Sequence, residues 1–169
     1  MIRHLLSRLR ADQRGMATIE FALLSVLFFF VRTAGLDLGL WYQQRLRVDS
    51  AVEQGTMIAF NTRSSVDQAA IGTYVAAASK LSTAPTVTVG CNGGTSNCVN
   101  SGRTCACVSG SPPTPTYTAT ACNATCADGS LSGYYMNIKA VATSSTMLVP
   151  AAMLGGSMTQ TRSAVVRLQ

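Results

Sequence analysis

An apolar stretch that opens at Met16 carries a lone carboxylate, Glu20, and no feature constrains this chain more. From Met16 to Val31 only Thr18, Glu20 and Ser25 are polar; Arg32 then interrupts the run and Asp37 follows. A spanning helix needs about 20 residues, so the span is read from Met16 to about Leu36, inside a membrane segment set at 16–40. A charge at membrane depth is costly and marks function by default. Upstream lies a polar leader, residues 1–15, that ends in Gly15. A glycine at the junction between leader and membrane offers a protease a small, unhindered residue. The continuous apolar core, Phe21–Val31, is also long enough for the central region of a secretory signal. An ordinary signal cut near Thr33-Ala34-Gly35 is therefore the rival reading, which Arg32 beside that site makes unattractive.

The formal charge of +6 does not point to nucleic acid. Arg3, Arg8, Arg10 and Arg14 sit in the leader against a single acid, Asp12, and the remaining basic residues are scattered with no aromatic interleaving. Arginines ahead of the first apolar segment stay in the cytoplasm, so the rest of the chain emerges on the far side. Six cysteines, Cys91, Cys98, Cys105, Cys107, Cys122 and Cys126, cluster in that exported part. An even, clustered count there reads as disulfides. Three bridges allow 15 pairings; Cys105 and Cys107 are too close to bridge each other, so each reaches elsewhere. Zinc is disfavoured, since no histidine helps and neither Cys105-Ala106-Cys107 nor Cys122–Cys126 has knuckle spacing. The only histidine, His4, lies in the leader. That removes Ser-His and Cys-His pairs, and the acids are too dispersed for a carboxylate pair. The chain is expected to be no enzyme and to need no cofactor or metal.

Beyond the membrane, Trp41, Val48, Val52, Ala59, Val66, Ala70, Ala77 and Leu81 recur by sevens and fours, a helical stripe opposite Gln43, Gln44, Arg47, Ser50, Gln54 and Asn61. Residues 41–83 are thus an amphipathic helical region. Asn61-Thr62-Arg63-Ser64-Ser65 breaks it, and Ser64…Asp67 and Ser65…Gln68 have capping-box spacing for a new start. The stripe on both sides of the break implies that both helices cover one core. Arg32 snorkels at the outer interface or pairs with Asp37 or a neighbouring chain's carboxylate. Ala84-Pro85 ends the helices. Residues 84–169 form a β-rich head: Thr86–Val89, Tyr134–Thr146 and Thr159–Leu168 read as strands, the second alternating through Met136, Ile138, Ala140 and Ala142. Pro150 and Gly155-Gly156 mark the connection between the last two. Residues 91–133 are a loop-rich, disulfide-rich insertion, either an exposed stapled tip that touches a partner or a stabilised insertion with no binding role. The fold class is α+β: a transmembrane helix that continues into an amphipathic helix, packed on a small antiparallel sheet.

The run Arg14-Gly15-Met16-Ala17-Thr18-Ile19-Glu20-Phe21 resembles the processing site of type IV prepilins. With Leu40-Trp41-Tyr42-Gln43-Gln44-Arg45-Leu46-Arg47-Val48-Asp49-Ser50-Ala51 it looks like the TadE-like family, minor pilins or pseudopilins of the tight-adherence (type IVc) pilus system. The resemblance covers residues 8–60 well and 134–169 loosely; Arg32 and the cysteine cluster depart from it. It implies a pilin-like fold, cleavage between Gly15 and Met16 by a membrane-embedded prepilin peptidase that in some systems also N-methylates the new terminus, and Glu20 with Phe21 as assembly residues. It also implies partners: the peptidase, other pilin and pseudopilin subunits and the inner-membrane assembly platform. The chain would sit once through the inner membrane, its N-terminus cytoplasmic and its head periplasmic or, in a pilus, extracellular. Cleavage would leave a positive amine on Met16, one helical turn from Glu20. The carboxylate of one helix can then neutralise the amine of an axially offset neighbour, and pairing offsets much of the several kcal/mol that either charge alone would cost. The alternative function is a membrane-anchored or secreted, disulfide-stabilised, adhesin-like binding module with an ordinary signal.

Overall fold

The computed structural model describes residues 16–95, 98–111, 114–144 and 158–169. The leader with Gly15, Pro112-Pro113, Pro150 and Gly155-Gly156 lie outside the described residues. Helix α1, Met16–Asn61, runs unbroken for 46 residues, about 69 Å at 1.5 Å per residue. No proline interrupts it, and Ser25 and Thr33 return their hydroxyls to the backbone carbonyls of Ala22 and Phe29 at 2.9 and 2.7 Å. Both polar side chains are thus satisfied inside the apolar stretch, as a lipid environment demands.

The break falls where the sequence places it. After α1 a turn closes from Ser65 N–H to the Thr62 carbonyl at 2.8 Å, and α2 runs Gln68–Ala78. The cap is Asp67, whose carboxylate accepts from Ala70 N–H at 3.0 Å, so neither Ser64 nor Ser65 begins the helix. The stripe also changes phase. Val48, Val52, Ala59 and Val66 are buried as expected, but Ala70 and Ala77 are exposed and Ile71 and Val75 face the core instead. A loop between two helices resets rotation, so a period carried across it loses meaning. Trp41 is only half-buried, with the Arg45 guanidinium 5.7 Å from its ring centroid.

Three strands, β1 (Thr86–Cys91), β4 (Tyr135–Ser144) and β5 (Met158–Arg167), form an antiparallel sheet in the order β1-β4-β5. In central β4, Met136, Ile138, Ala140 and Ala142 are all buried, as their alternation predicts. Their cross-strand partners, Cys91 and Val89 on β1 and Val166 and Ala164 on β5, share that face. α1 lies over β4 and β5, and α2 over β1. Each fully buried side chain such as Ile138 or Met136 contributes about 1.5–3 kcal/mol. Gly55 sets the approach: a Cβ there would stand 2.5 Å from Val75 Cγ2 and 3.2 Å from Ile138 Cδ1. Ser144 donates to the Gln44 side chain, and Arg162 reaches Asp49 at 2.7 Å, so two polar pairs tie β4 and β5 to α1.

The insertion holds more structure than its composition suggests. β2 (Cys105–Ser109) and β3 (Thr116–Thr120) form a hairpin, and disulfides join Cys91–Cys98, Cys105–Cys122 and Cys107–Cys126. Each bridge stabilises by about 2–4 kcal/mol through the unfolded chain. No cysteine is free.

Candidate functional site: one helix with two environments, and a stapled head

Met16 and Glu20 stand one turn apart at the start of α1, both exposed, and Phe21 beside them is 73% exposed. The helix therefore carries all three described members of the expected processing and assembly group on an uncovered end, while Gly15 lies outside the described residues. Phe28, Phe29 and Phe30 are uncovered as well, and none of the most apolar eighteen-residue window of α1 is buried. This is the one helix among the described residues long and apolar enough to cross a membrane, and it fits a membrane-anchored protein.

Arg32 is exposed and Asp37 buried. At about 100° per residue, five positions separate two side chains by about 140°, so the helix turns Arg32 and Asp37 away from each other. Arg32 and Asp37 therefore face different sides of α1.

Rotation about α1 divides its length into two faces. Val48, Ala51, Val52, Gly55 and Ala59 form the buried face. Phe21, Phe28, Gly35, Gly39, Tyr42, Leu46, Met57 and Phe60 fall within an arc of about 60° on the other side, and all are exposed. Among the described residues nothing lies within 4 Å of where a Cβ on Gly35 or Gly39 would stand. The core-facing stripe dominates the sequence pattern of α1; the Gly35–Gly39 spacing is the signal of this second face. Leu46, Met57 and Phe60, at 50%, 69% and 51% exposure, carry the seam well past the apolar stretch.

In the head, the insertion folds back as a clasp on the corner between α1 and α2. The Arg103 guanidinium stacks 4.8 Å from the Tyr134 ring centroid, donates to the Val99 carbonyl at 3.0 Å and donates to the Arg63 carbonyl in the corner. Asn100 accepts from Val66 N–H at 2.8 Å, and the Tyr134 hydroxyl accepts from Val99 N–H at 2.8 Å. Residues 98–103 are thus structural cement, whereas the β2–β3 hairpin projects polar threonines outward. Asp128, at the turn that follows Cys126, accepts from the Ser130 hydroxyl at 2.7 Å and its N–H at 3.0 Å. Those two bonds, the hydroxyl first, hold its carboxyl below the usual value of 3.8.

Comparison with known families places the N-terminal part. The family model described as TadE-like protein matches residues 15–57, from Gly15 through the buried and uncovered faces of α1 to Met57. No curated protein and no solved structure matches the chain. Along the long uncovered helix, then, the chain is similar to TadE-like proteins.

Proposed function

We propose that this protein is a minor pilin or pseudopilin of a tight-adherence pilus, cut after Gly15 by a prepilin peptidase and held among other subunits through α1. The observation that carries this reading is the exposed seam. Lipid accounts for bare phenylalanines near residue 28. It does not account for Met57, which lies about 25 Å of helix beyond Leu40 and is 69% exposed. An apolar row that continues from the membrane stretch onto the head suits a neighbouring helix of the same kind, and the uncovered Gly35 and Gly39 allow close backbone approach. Glu20, exposed in the apolar stretch, then pairs with the Met16 amine of that neighbour. The absence of catalytic groupings in the sequence agrees with a role as a peptidase's substrate rather than as an enzyme.

Met57→Glu tests the seam. A surface change of this kind alters head stability by less than about 0.5 kcal/mol, so thermal unfolding of the solubilised protein should hold while crosslinking to pilus subunits falls. Undiminished crosslinking would refute the packing. The rival reading is an adhesin-like module with an ordinary signal; Arg32 beside the cut near Thr33-Ala34-Gly35 makes that site unattractive.

A further inference from the structure

The reading of α1 as a membrane span leaves unassigned an open groove between α1 and α2, about 700 Å³ in volume, at the end of the head nearest the membrane. Two cations line it, Arg47 on α1 and Lys80 just past α2, together with Gln43 and Ser50 and the apolar walls of Leu46 and Tyr74. None of its lining residues is acidic. We propose that this groove binds the phosphate of an anionic phospholipid headgroup in the leaflet from which α1 emerges; the proposal rests on the membrane-span reading.

Three observations meet there. The first is height. Trp41 and Tyr42 are the aromatic pair expected at a membrane–water interface. Arg47 follows Tyr42 by five residues, about 7.5 Å of rise, and the headgroup layer extends about 5–8 Å beyond the hydrocarbon on each side. An arginine stem reaches back across that distance. The second is direction. α2 returns toward the membrane beside α1: Tyr74 bonds Gln54 at 2.8 Å, and further down Arg47 Nη1 donates to the Lys80 carbonyl at 3.5 Å. The antiparallel return brings the second cation to the same level as the first. The third is backbone. Lys80 has φ +49°, a left-handed position past a helix end that glycine or asparagine usually takes. A lysine there gives up conformational ease and gains a charge at the mouth of the groove.

Phosphate is the ligand group that two such cations and the hydroxyl and amide of Ser50 and Gln43 recognise. Leu46 and Tyr74 suit the glycerol and upper acyl portion of a lipid. An acidic protein partner would satisfy the cations equally, but the height of the groove at the headgroup layer favours the lipid.

The full chain is reconstituted in nanodiscs of phosphatidylethanolamine and phosphatidylglycerol, and the lipid retained after mild detergent extraction is quantified. The wild type should retain phosphatidylglycerol enriched at least about five-fold over bulk. Lys80→Gln, which keeps the carbonyl that Arg47 bonds, and Arg47→Gln should each bring the ratio toward bulk, and Arg47→Lys should preserve it. Three intact disulfides by mass certify the fold of each variant. Glycerol phosphate at millimolar concentration should not displace the lipid; displacement would make this a site for a free phosphate and overturn the membrane assignment. Displacement by an acidic peptide would overturn it in favour of a protein. Equal enrichment in wild type and the glutamine variants overturns the site while carbonate-resistant insertion leaves the span standing. Carbonate extraction of the wild type overturns span and site together.

Discussion

The two halves of α1 are one continuous helix built for two different surroundings. In the second half, Val48, Ala51, Val52, Gly55 and Ala59 are small and buried, because α2 and the sheet press against them. In the first half, Phe21, Leu24, Phe28 and Phe30 are large and bare. A helix whose big side chains are outside and whose small ones are inside cannot bury its apolar mass within its own chain. The head thus folds on itself, whereas the N-terminal half is left uncovered by the described residues and fits a membrane anchor. On the function proposed above, the seam that continues past Leu46 to Phe60 is the face that other subunits cover.

The comparison is broken most severely at Glu20. If its carboxylate neutralises a neighbour's amine, Glu20→Ala leaves a buried positive charge without its partner, a loss of roughly 3–5 kcal/mol. Incorporation into pili should drop at least about tenfold while removal of the leader continues, as quantified by immunoblot of sheared surface fractions against membranes. Efficient assembly by the variant would remove Glu20 from the account. A change in the other half should do the opposite. Gly55→Val forces a branched side chain against Val75 and Ile138 and should cost the head about 1–3 kcal/mol, seen as a lower unfolding temperature, with membrane insertion intact. A variant as stable as the wild type would mean that α1 and α2 are not packed as closely as described.

The smallest effect is expected far from α1. Asp128 is held below 3.8 in the folded head, chiefly by the Ser130 hydroxyl. A lowered folded pKa contributes stability above the unfolded value, and that contribution is lost as pH falls through the folded value. Ser130→Ala should raise the Asp128 midpoint toward 3.8, measured by NMR titration, and shrink this contribution. An unchanged midpoint would assign the shift elsewhere.

Much of this architecture is legible from residue order. The strict alternation of Met136, Ile138, Ala140 and Ala142 identifies the central strand, and the polar run after Asn61 locates the break. The face of α2 is not legible, because the turn at 62–67 adds a rotation that no periodicity encodes. Nor is the β2–β3 hairpin: its strands, Cys-Ala-Cys-Val-Ser and Thr-Tyr-Thr-Ala-Thr, lack an apolar face and are pinned by bridges whose pairing spacing alone leaves open. The clasp of Arg103 and Asn100 on the helix corner is a tertiary arrangement between residues far apart in the chain. At the N-terminus, by contrast, Gly15, Met16 and Glu20 lie within six residues, so the pattern that suggests their roles is local.

The central claim is that α1 begins, in the working protein, at a freshly exposed amine. Intact mass and N-terminal sequencing of the protein recovered from the membranes of its own cells test this directly. The account predicts a chain that starts at Met16, with or without an N-methyl group. A chain that starts at Met1 with its arginine leader in place, or at Leu36 after loss of the apolar stretch, would contradict it.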